Sequence, residues 1–318
     1  MSSASRGAGI CWPVPAELEA GTDVVYRNSF LADLAKVPPA EAVRRFVYLT
    51  PAEMRELVES GIAQTGCGPL SGTGIELGAG CGLLSSVVAQ SEAVKDIYSV
   101  ELCRAAAHQL MPRVASWVLD DRANKVIPVY GSFDDLAVPD SSIDFIVEID
   151  SLHHSYNLER SFRESARALK RGGRMLLFDR CHPDTLGDDE VEAMLNIVYG
   201  PDFLAKNHYP LDLKLTRRQN GEHEYRLREW KAGFAAAGLE LRSMCQFIPR
   251  IAVKSAVKGL VAFLPLSIQR SLFSGGTARF SSTKDFFSSH AATLTGGPMG
   301  PRYLAPRDYT VFFLVKPQ

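Results

Sequence analysis

GIELGAGCGLLS, residues 74–85, joins a short apolar run to a glycine-rich turn and then to a second apolar run. The first run carries one carboxylate, Glu76, and the turn holds Gly78, Gly80 and Gly82 at alternate positions. A strand, a glycine turn and a helix in this order are typical of a nucleotide site, because backbone amides at the start of the helix face the ligand. The stretch therefore predicts a nucleotide-like cofactor and leaves its identity open.

Short strand and helix patterns alternate along the chain after this turn. Strand patterns recur at GIEL, DIYSVEL, KVIPVYG, IDFIVEI, GGRMLLFD, LELRSMCQF and YTVFFLVK. Helical patterns such as LLSSVVAQ, AAAHQLMPRVASWV and NLERSFRESARALK separate several of them. Such alternation is typical of a parallel sheet with helices on both faces. We therefore predict a Rossmann-like, doubly wound α/β fold with a mostly parallel seven-stranded sheet.

The chain is predicted to divide into an N-terminal extension, residues 1–64, and a cofactor-binding domain, residues 65–318. Residues 1–28 lack periodicity and predict a loose arm, which two helical patterns follow. Two later stretches, residues 181–221 and 248–307, are too long to be plain loops. Both leave from predicted strand ends, where ligands bind in doubly wound sheets, so we expect them to form a two-part lid.

Two more segments, one before the first strand pattern and one after the fifth, show sequence patterns typical of helices. TPAEMRELVESGIA has Thr50 at the N-cap and Glu53 at the capping-box position. EHEYRLREWKAGFAAAG is predicted as one helix that starts near His223 and places Trp230 and Phe234 at core spacing.

Composition excludes several classes of protein. The 318 residues include 46% hydrophobic residues and carry a net charge of -1, which is ordinary for a globular chain and gives no basic footprint for nucleic acid. The six cysteines are scattered without CxxC spacing, which argues against a metal site or a disulfide framework and favours a cytoplasmic location. The N-terminal residues lack the apolar core of a signal peptide, and no run approaches the roughly 18 apolar residues of a membrane span, so neither segment is predicted.

Charge patterning separates two candidate cofactors. A dinucleotide fingerprint needs a third glycine where this chain has Leu83. Carboxylates gather at the predicted strand ends, at Glu76, Asp134, Asp135, Glu148 and Asp150. An acidic rim repels a pyrophosphate and favours a cationic cofactor such as S-adenosylmethionine. Glu101 lies roughly 20 residues after the glycines, where a carboxylate accepts ribose hydroxyls, but NAD sites share that feature.

Four blocks in order, IELGAGCG, YSVEL, IDFIVEIDSLHH and ALKRGGRMLLFD, resemble those of class I S-adenosylmethionine-dependent methyltransferases. The resemblance covers about residues 74–179 well and the last helix and two strands loosely. It implies contacts to the methionine end, the ribose, the adenine and the region beneath the methyl group. The implied cofactor residues are Glu76, Gly78, Ala79, Gly80, Cys81, Gly82, Glu101, Leu102, Ser132, Phe133, Asp134, Glu148 and Ile149. Many relatives have an acid where this chain has Ser132, so either that hydroxyl or Asp134 takes its place.

Candidate acceptor residues follow the fourth strand pattern. His153 and His154 are adjacent to the expected methyl position, and either is a general base if the acceptor is a hydroxyl. A structural or substrate-shaping role for both is the alternative. Tyr156, His223 and Tyr225 are candidate substrate contacts, with helix capping as the alternative for the last two. No metal site is predicted, and Asp179, Asp184 and the nearby His182 are the residues that keep a magnesium-assisted reaction as an alternative.

The function predicted from these features is methyl transfer from S-adenosylmethionine to a small or medium-sized acceptor. O-methylation is slightly favoured, and a natural product, a sugar or a lipid-linked intermediate all remain open. The alternatives are an NAD-dependent oxidoreductase and a non-catalytic S-adenosylmethionine-binding module. A basic amphipathic pattern at residues 251–273 predicts either packing on the domain or peripheral membrane contact. The sequence does not indicate an oligomeric state.

Overall fold

The computed structural model describes residues 9–15, 18, 28–47, 49–207, 209–246 and 309–318. Within these residues, eight strands form one sheet: β1 Ile10–Cys11, β2 Gly72–Leu77, β3 Val94–Glu101, β4 Val126–Tyr130, β5 Ile143–Ile149, β6 Leu169–Arg180, β7 Glu240–Gln246 and β8 Tyr309–Val315. The α-helices are α1 Asn28–Leu34, α2 Pro39–Phe46, α3 Pro51–Thr65, α4 Leu83–Val88, α5 Met111–Leu119, α6 Leu158–Ala168, α7 Asp188–Leu195, α8 Pro201–Lys206 and α9 Leu227–Ala236.

The strand order is β1-β4-β3-β2-β5-β6-β8-β7. The pairs from β1 to β6 are parallel, and β8 lies antiparallel between β6 and β7. This order confirms the doubly wound α/β prediction, with the crossover point between β2 and β5. The carboxyl ends of β2, β3, β4, β5 and β6 therefore meet along one edge.

The predicted count of seven strands was wrong by one, because Ile10–Cys11 pairs in parallel with β4. Trp12 follows this strand and is buried, and its backbone N–H donates to Tyr130 O at 2.8 Å. Part of the predicted loose arm is therefore an edge strand. A two-residue strand is too short to show the alternation on which strand prediction depends.

Two apolar cores cover the sheet. One packs α1 to α5 against one face and includes Leu34, Met54 and Val114. The other packs α6 and α9 against the opposite face around Phe162 and Trp230. The helices of the N-terminal extension thus share their core with the sheet.

Helix boundaries follow local chemistry. Thr50 and Glu53 form the predicted capping box at the start of α3, and Gly66 ends it at φ 71°. The predicted single helix before Leu119 instead begins as a π-helical turn, Ala106–Leu110, ahead of α5. Pro112 has no N–H to donate to the preceding turn, which favours such a change of pitch.

The late helix starts at Leu227, so its predicted start near His223 was wrong. Arg226 N–H donates to Glu229 Oε2 at 2.7 Å, which caps the helix at its true beginning. Residues 222–225 belong to no helix or strand, and an isolated bridge pairs the next residue, Arg226, with His182.

The first insertion, residues 181–221, contains α7 and α8 and has its own small apolar cluster of Leu204, Tyr209 and Leu215. Its lid role stays a prediction. The second insertion, residues 248–307, and the amphipathic pattern at residues 251–273 lie outside the described residues. Among the described residues, no helix has both the length and the apolar character needed to cross a bilayer.

Candidate active site

The glycine turn between β2 and α4 bends in a way that only glycine tolerates well. Gly78, Gly80 and Gly82 have φ values of 65°, 52° and 74°. A Cβ on Gly80 would lie 2.6 Å from the Phe46 ring of α2, and one on Gly78 would lie 2.4 Å from Ser151 Cβ. The turn is therefore packed closely between the N-terminal extension and the loop after β5.

Glu76 lies at the start of this turn and is buried. Its Oε2 accepts a hydrogen bond from Ser85 N–H at 2.9 Å and another from the Ser85 hydroxyl. The Ser99 hydroxyl donates to Ser85 Oγ at 2.5 Å. Burial raises the pKa of Glu76 to about 8, so the side chain holds a proton at neutral pH unless a cation approaches.

Glu101 ends β3 and is bonded to the same turn. Gly80 N–H donates to its Oε2 at 2.8 Å, and Cys103 N–H donates to its Oε1 at 2.7 Å. Burial raises the pKa of Glu101. Each carboxylate oxygen retains a second lone pair, which suits the acceptance of ribose hydroxyls. Leu102 is half-buried beside it.

The turn after β4 lies next to Glu101, because Gly131 N–H donates to Glu101 O at 3.1 Å. Ser132 is buried and Phe133 packs at the margin of the second core. Asp134 accepts a hydrogen bond from the Ser161 hydroxyl of α6, and burial raises its pKa. Ser132 Oγ accepts from Asp134 N–H at 3.1 Å, so both predicted adenine residues are already engaged with their neighbours.

Glu148 is fully buried near the end of β5, directly opposite Leu77 in the sheet. Its Oε2 accepts from Ser151 N–H at 3.1 Å and lies 2.9 Å from Ser151 Oγ. Its Oε1 has no hydrogen-bond partner among the described residues. Burial and the nearby Asp179 raise the pKa of Glu148 well above its usual range. Ile149 follows it and is half-buried against the first core.

His153 is held by Asp179 at the end of β6. Asp179 Oδ1 lies 2.6 Å from His153 Nδ1, and Asp179 Oδ2 accepts from His153 N–H at 2.9 Å. The Arg180 guanidinium contacts His153 Nε2. Burial and Arg180 both lower the pKa of His153, but Asp179 outweighs them and the net shift is upward.

Arg180 links His153 to neighbouring carboxylates. Its Nε donates to Asp150 Oδ1 at 3.0 Å, and its Nη1 lies 2.8 Å from Glu222 Oε2. Asp150 adopts a φ of 53°, which holds its carboxylate toward Arg180. Burial alone would raise the pKa of Glu222, but Arg180 together with the neighbouring His154, His153 and Arg217 outweighs burial, and the net shift is downward.

His154 stacks against His153 with ring centroids 4.1 Å apart. Its Nδ1 lies 2.8 Å from Gly221 O, so Nδ1 carries the proton and Nε2 carries the lone pair in the neutral ring. Burial and the neighbouring His153 lower the pKa of His154 to about 4. This imidazole is therefore neutral at physiological pH.

The three predicted substrate residues lie together beside the two histidines. Tyr156 is exposed and meets the edge of the His223 ring at 5.0 Å. His223 stacks on Tyr225 at 5.4 Å, and its Nδ1 lies 3.1 Å from His153 O. Tyr225 donates to Ser155 O at 2.5 Å, and burial raises its pKa to about 12. The structure therefore brings Tyr156, His223 and the histidine pair to one edge.

Sequence reasoning missed most of the charged network around His153. It consists of Asp179, Arg180, His182, Arg217, Glu222 and Glu224. The position of Asp179 and Arg180 at the end of a strand was a usable signal. The other four, His182, Arg217, Glu222 and Glu224, lie in the first insertion or directly after it, and no sequence pattern there indicates that they are in contact.

The chain's own features fit S-adenosylmethionine. Gly78, Gly80 and Gly82 all have positive φ, which gives the turn the backbone path of a strand–turn–helix nucleotide site. Glu101 is bonded to the glycine turn at the end of β3, and the buried Glu148 Oε1 offers an acceptor near the end of β5. Glu76 supplies a carboxyl group that a cation would ionise.

This fold and site define a Rossmann-like domain for a nucleoside cofactor. Residues 75–177 match a family model described as a methyltransferase domain. The uncharacterized methyltransferase YcgJ of Bacillus subtilis is 26% identical over 162 residues, which are 51% of this chain and 54% of that protein. The chain thus spans about half the length of this curated relative. Residues 75–177 are therefore similar to a methyltransferase domain, and S-adenosylmethionine is the cofactor that this similarity supports.

Two solved structures show the same fold. One is phosphoethanolamine N-methyltransferase 2 of Haemonchus contortus with phosphomonomethylethanolamine and S-adenosylhomocysteine. It has 15% identity and a TM-score of 0.52, covering 96% of this chain and 62% of that one. The other is a Haloferax volcanii complex between the Trm112 methyltransferase activator and a methyltransferase. It has 12% identity and a TM-score of 0.50, covering 91% of this chain and 98% of that one.

Proposed function

We propose that this chain transfers a methyl group from S-adenosylmethionine to a small or medium-sized acceptor, with a hydroxyl oxygen as the favoured acceptor atom. A natural product, a sugar and a lipid-linked intermediate are the candidate classes. The observation that supports this best is the contact of the buried Asp179 with His153 Nδ1. A carboxylate that orients an imidazole in this way is the arrangement that general-base catalysis uses.

The cofactor supplies a methyl carbon that its sulfonium already activates. The protein then has to align the acceptor and exclude water. Glu101 and the backbone around Gly80 are proposed to hold the cofactor. Tyr156 and His223 are proposed to flank the acceptor, and the first insertion, residues 181–221, to cover it.

Two nitrogen atoms are candidates for receiving the acceptor's hydroxyl proton. His153 is the more basic of the two imidazoles, since its pKa is raised. The Arg180 guanidinium contacts its Nε2, however, and must move away before that nitrogen can accept a proton. His154 Nε2 carries a lone pair in the neutral ring, but a pKa of about 4 makes it a weak base. We favour His153, because Asp179 raises its pKa whereas that of His154 falls to about 4, and the stronger base accepts a proton more readily.

Calorimetry and turnover test the proposal in two stages. Binding of S-adenosylmethionine but not NAD is expected. Tight NAD binding without S-adenosylmethionine binding would favour an oxidoreductase. Purified chain and cell extract are then expected to form S-adenosylhomocysteine, with mass spectrometry identifying the metabolite that gains one methyl unit. Cofactor binding without any turnover across extract fractions would favour a non-catalytic module.

Location is proposed to be cytoplasmic, with the pattern at residues 251–273 either packing on the domain or contacting a membrane surface. Co-sedimentation with anionic liposomes distinguishes these two outcomes, because a basic amphipathic segment binds anionic lipid in a salt-dependent way. Sedimentation without liposomes gives the baseline.

A further inference from the structure

Two imidazoles and one carboxylate converge beside the proposed acceptor position. His153, His154 and Glu222 each offer a ligand atom, and these atoms lie within 4.8 Å of one another. His153 Nε2 and Glu222 Oε2 are 3.6 Å apart. Ligands that bind one tetrahedral ion at about 2.0–2.2 Å lie roughly 3.4 Å from each other. A small movement of these side chains would therefore bring them to metal-ligand distances.

The groups hydrogen-bonded to Nδ1 of His153 and of His154 are those usually found behind a histidine that binds a metal. An imidazole that binds a metal through one nitrogen donates its other N–H to a carboxylate or a backbone carbonyl, which fixes the tautomer. His153 Nδ1 lies 2.6 Å from Asp179 Oδ1, and His154 Nδ1 lies 2.8 Å from Gly221 O. In both rings Nε2 is consequently the nitrogen that carries the lone pair.

The charge balance of the surrounding network favours an added cation. With Asp150 added, its carboxylates are Asp150, Asp179, Glu222 and Glu224, and they face the guanidinium groups of Arg180 and Arg217 and the imidazole of His182. Carboxylates are therefore in excess, and a divalent ion would offset two negative charges. The Arg180 guanidinium already contacts both His153 Nε2 and Glu222 Oε2, so the position between them accepts positive charge.

We propose that His153, His154 and Glu222 bind a divalent transition-metal ion, for which Arg180 competes. Two imidazoles and a carboxylate suit Zn²⁺ or Fe²⁺ and leave a coordination position open. The role of the ion rests on the proposed methyl transfer and replaces the histidine base, because a His153 Nε2 that binds the ion has no lone pair left for a proton. An acceptor hydroxyl bound to the ion would lose its proton to water more easily. Its oxygen then forms the bond to the methyl carbon as the carbon–sulfur bond breaks and its electron pair stays on sulfur.

Titration of the chelator-treated full chain tests the binding site without cofactor or acceptor. Zn²⁺ is followed by calorimetry, and Co²⁺ by its absorption spectrum, which distinguishes nitrogen and oxygen ligands from thiolates. One ion per chain is expected. His154→Ala and Glu222→Gln are each expected to weaken binding by about 100-fold or more, since even the loss of an outer partner costs about 10- to 100-fold.

Arg180→Gln should strengthen metal binding, whereas the two ligand variants should weaken it. If the guanidinium occupies the site for roughly nine-tenths of the time, its removal tightens binding about 10-fold. His108→Ala is the matched control, because His108 lies beside Cys11 at 3.6 Å and away from the network. That variant is expected to bind as the wild type does.

Equal binding by the wild type, His154→Ala and Glu222→Gln would overturn the proposal, as would a thiolate spectrum with Co²⁺ or unchanged affinity in Arg180→Gln. S-adenosylmethionine affinity and circular dichroism establish that each variant is folded. If one ligand variant fails to fold, the other and Arg180→Gln still decide. Metal binding without methyl transfer would contradict the proposed function and leave the site intact.

Discussion

Asp179 accepts two hydrogen bonds from one residue, since His153 N–H lies 2.9 Å from Oδ2 and His153 Nδ1 lies 2.6 Å from Oδ1. Both side chains are fully buried. The end of β6 thereby fixes the orientation of a ring on the loop after β5. The imidazole reaches the cofactor edge already oriented, without needing the acceptor to position it.

Asp179→Asn should reduce kcat far more than it changes cofactor affinity. An amide has one oxygen for the two His153 donors, so one hydrogen bond is lost and the preferred tautomer is weakened. Because general-base catalysis contributes about 10²- to 10⁴-fold, we expect kcat to fall by about 100-fold or more. Steady-state kinetics and the Kd for S-adenosylmethionine separate the two effects.

Asp144→Asn is the matched control for this change. Asp144 also accepts a backbone N–H, from Thr73 at 2.9 Å, and pairs with Lys170 at 2.7 Å, but it lies at the opposite end of β5. Its loss is expected to lower stability and leave kcat unchanged. An equal fall of kcat in both variants would show that Asp179 acts only through the stability of the fold.

Glu101→Gln should weaken the binding of S-adenosylmethionine. A charged acceptor contributes about 1.5–3 kcal/mol per hydrogen bond, which corresponds to roughly 10- to 100-fold in Kd. Calorimetry measures this loss, and thermal unfolding records the cost of disturbing the Gly80 and Cys103 contacts. Glu92→Gln, an exposed surface change paired with Arg122, is expected to bind as the wild type does. Unchanged affinity in Glu101→Gln would remove Glu101 from the cofactor site.

The sequence predicts the strands from β2 to β6 well, because apolar runs and glycine turns are local signals. The edge strand Ile10–Cys11 has two residues and therefore no period to detect. The late helix was placed too early because EHEY resembles a helix start, whereas the bridge between His182 and Arg226 keeps the helix from beginning before Leu227. Tertiary contacts override propensity in such a segment.

The candidate site divides in the same way. Glu76, Glu101 and Glu148 could be predicted as cofactor candidates because each lies at or next to the end of a strand, and strand ends share one edge in a parallel sheet. Glu222 pairs with Arg180, and Glu224 pairs with Arg217. The first of these pairs joins residues on either side of the first insertion, which are far apart in the sequence. No local pattern indicates that these residues meet, so only the three-dimensional structure reveals the network around His153.

Stability should depend on pH through Glu76. Burial raises its folded-state pKa to about 8 from 4.5, so between these values the unfolded chain releases a proton that the folded chain retains. The free energy of unfolding therefore falls as pH rises across this window, by up to about 1.4 kcal/mol per pH unit from this group. Glu76→Gln should flatten the slope, measured by denaturant unfolding at several pH values.

The proton on Glu76 should also affect the binding of S-adenosylmethionine. If the cationic cofactor contacts Glu76, its binding at pH 7 should release a proton. Calorimetry in buffers of different ionisation enthalpy counts this proton, and Glu76→Gln should abolish its release. Proton release that persists in Glu76→Gln would assign the linkage to another group.

Gly80→Ala should disrupt the cofactor turn for two separable reasons. Gly80 has a φ of 52°, and a Cβ there would lie 2.6 Å from Phe46 Cε1. Gly66→Ala is the matched control, because its φ is 71° and nothing lies within 4 Å of the added methyl group. The control should lose about 1 kcal/mol of stability from backbone strain alone, with an unchanged Kd for S-adenosylmethionine. Gly80→Ala should lose more stability and bind the cofactor more weakly, and equal losses in both variants would mean that the Phe46 contact yields without cost.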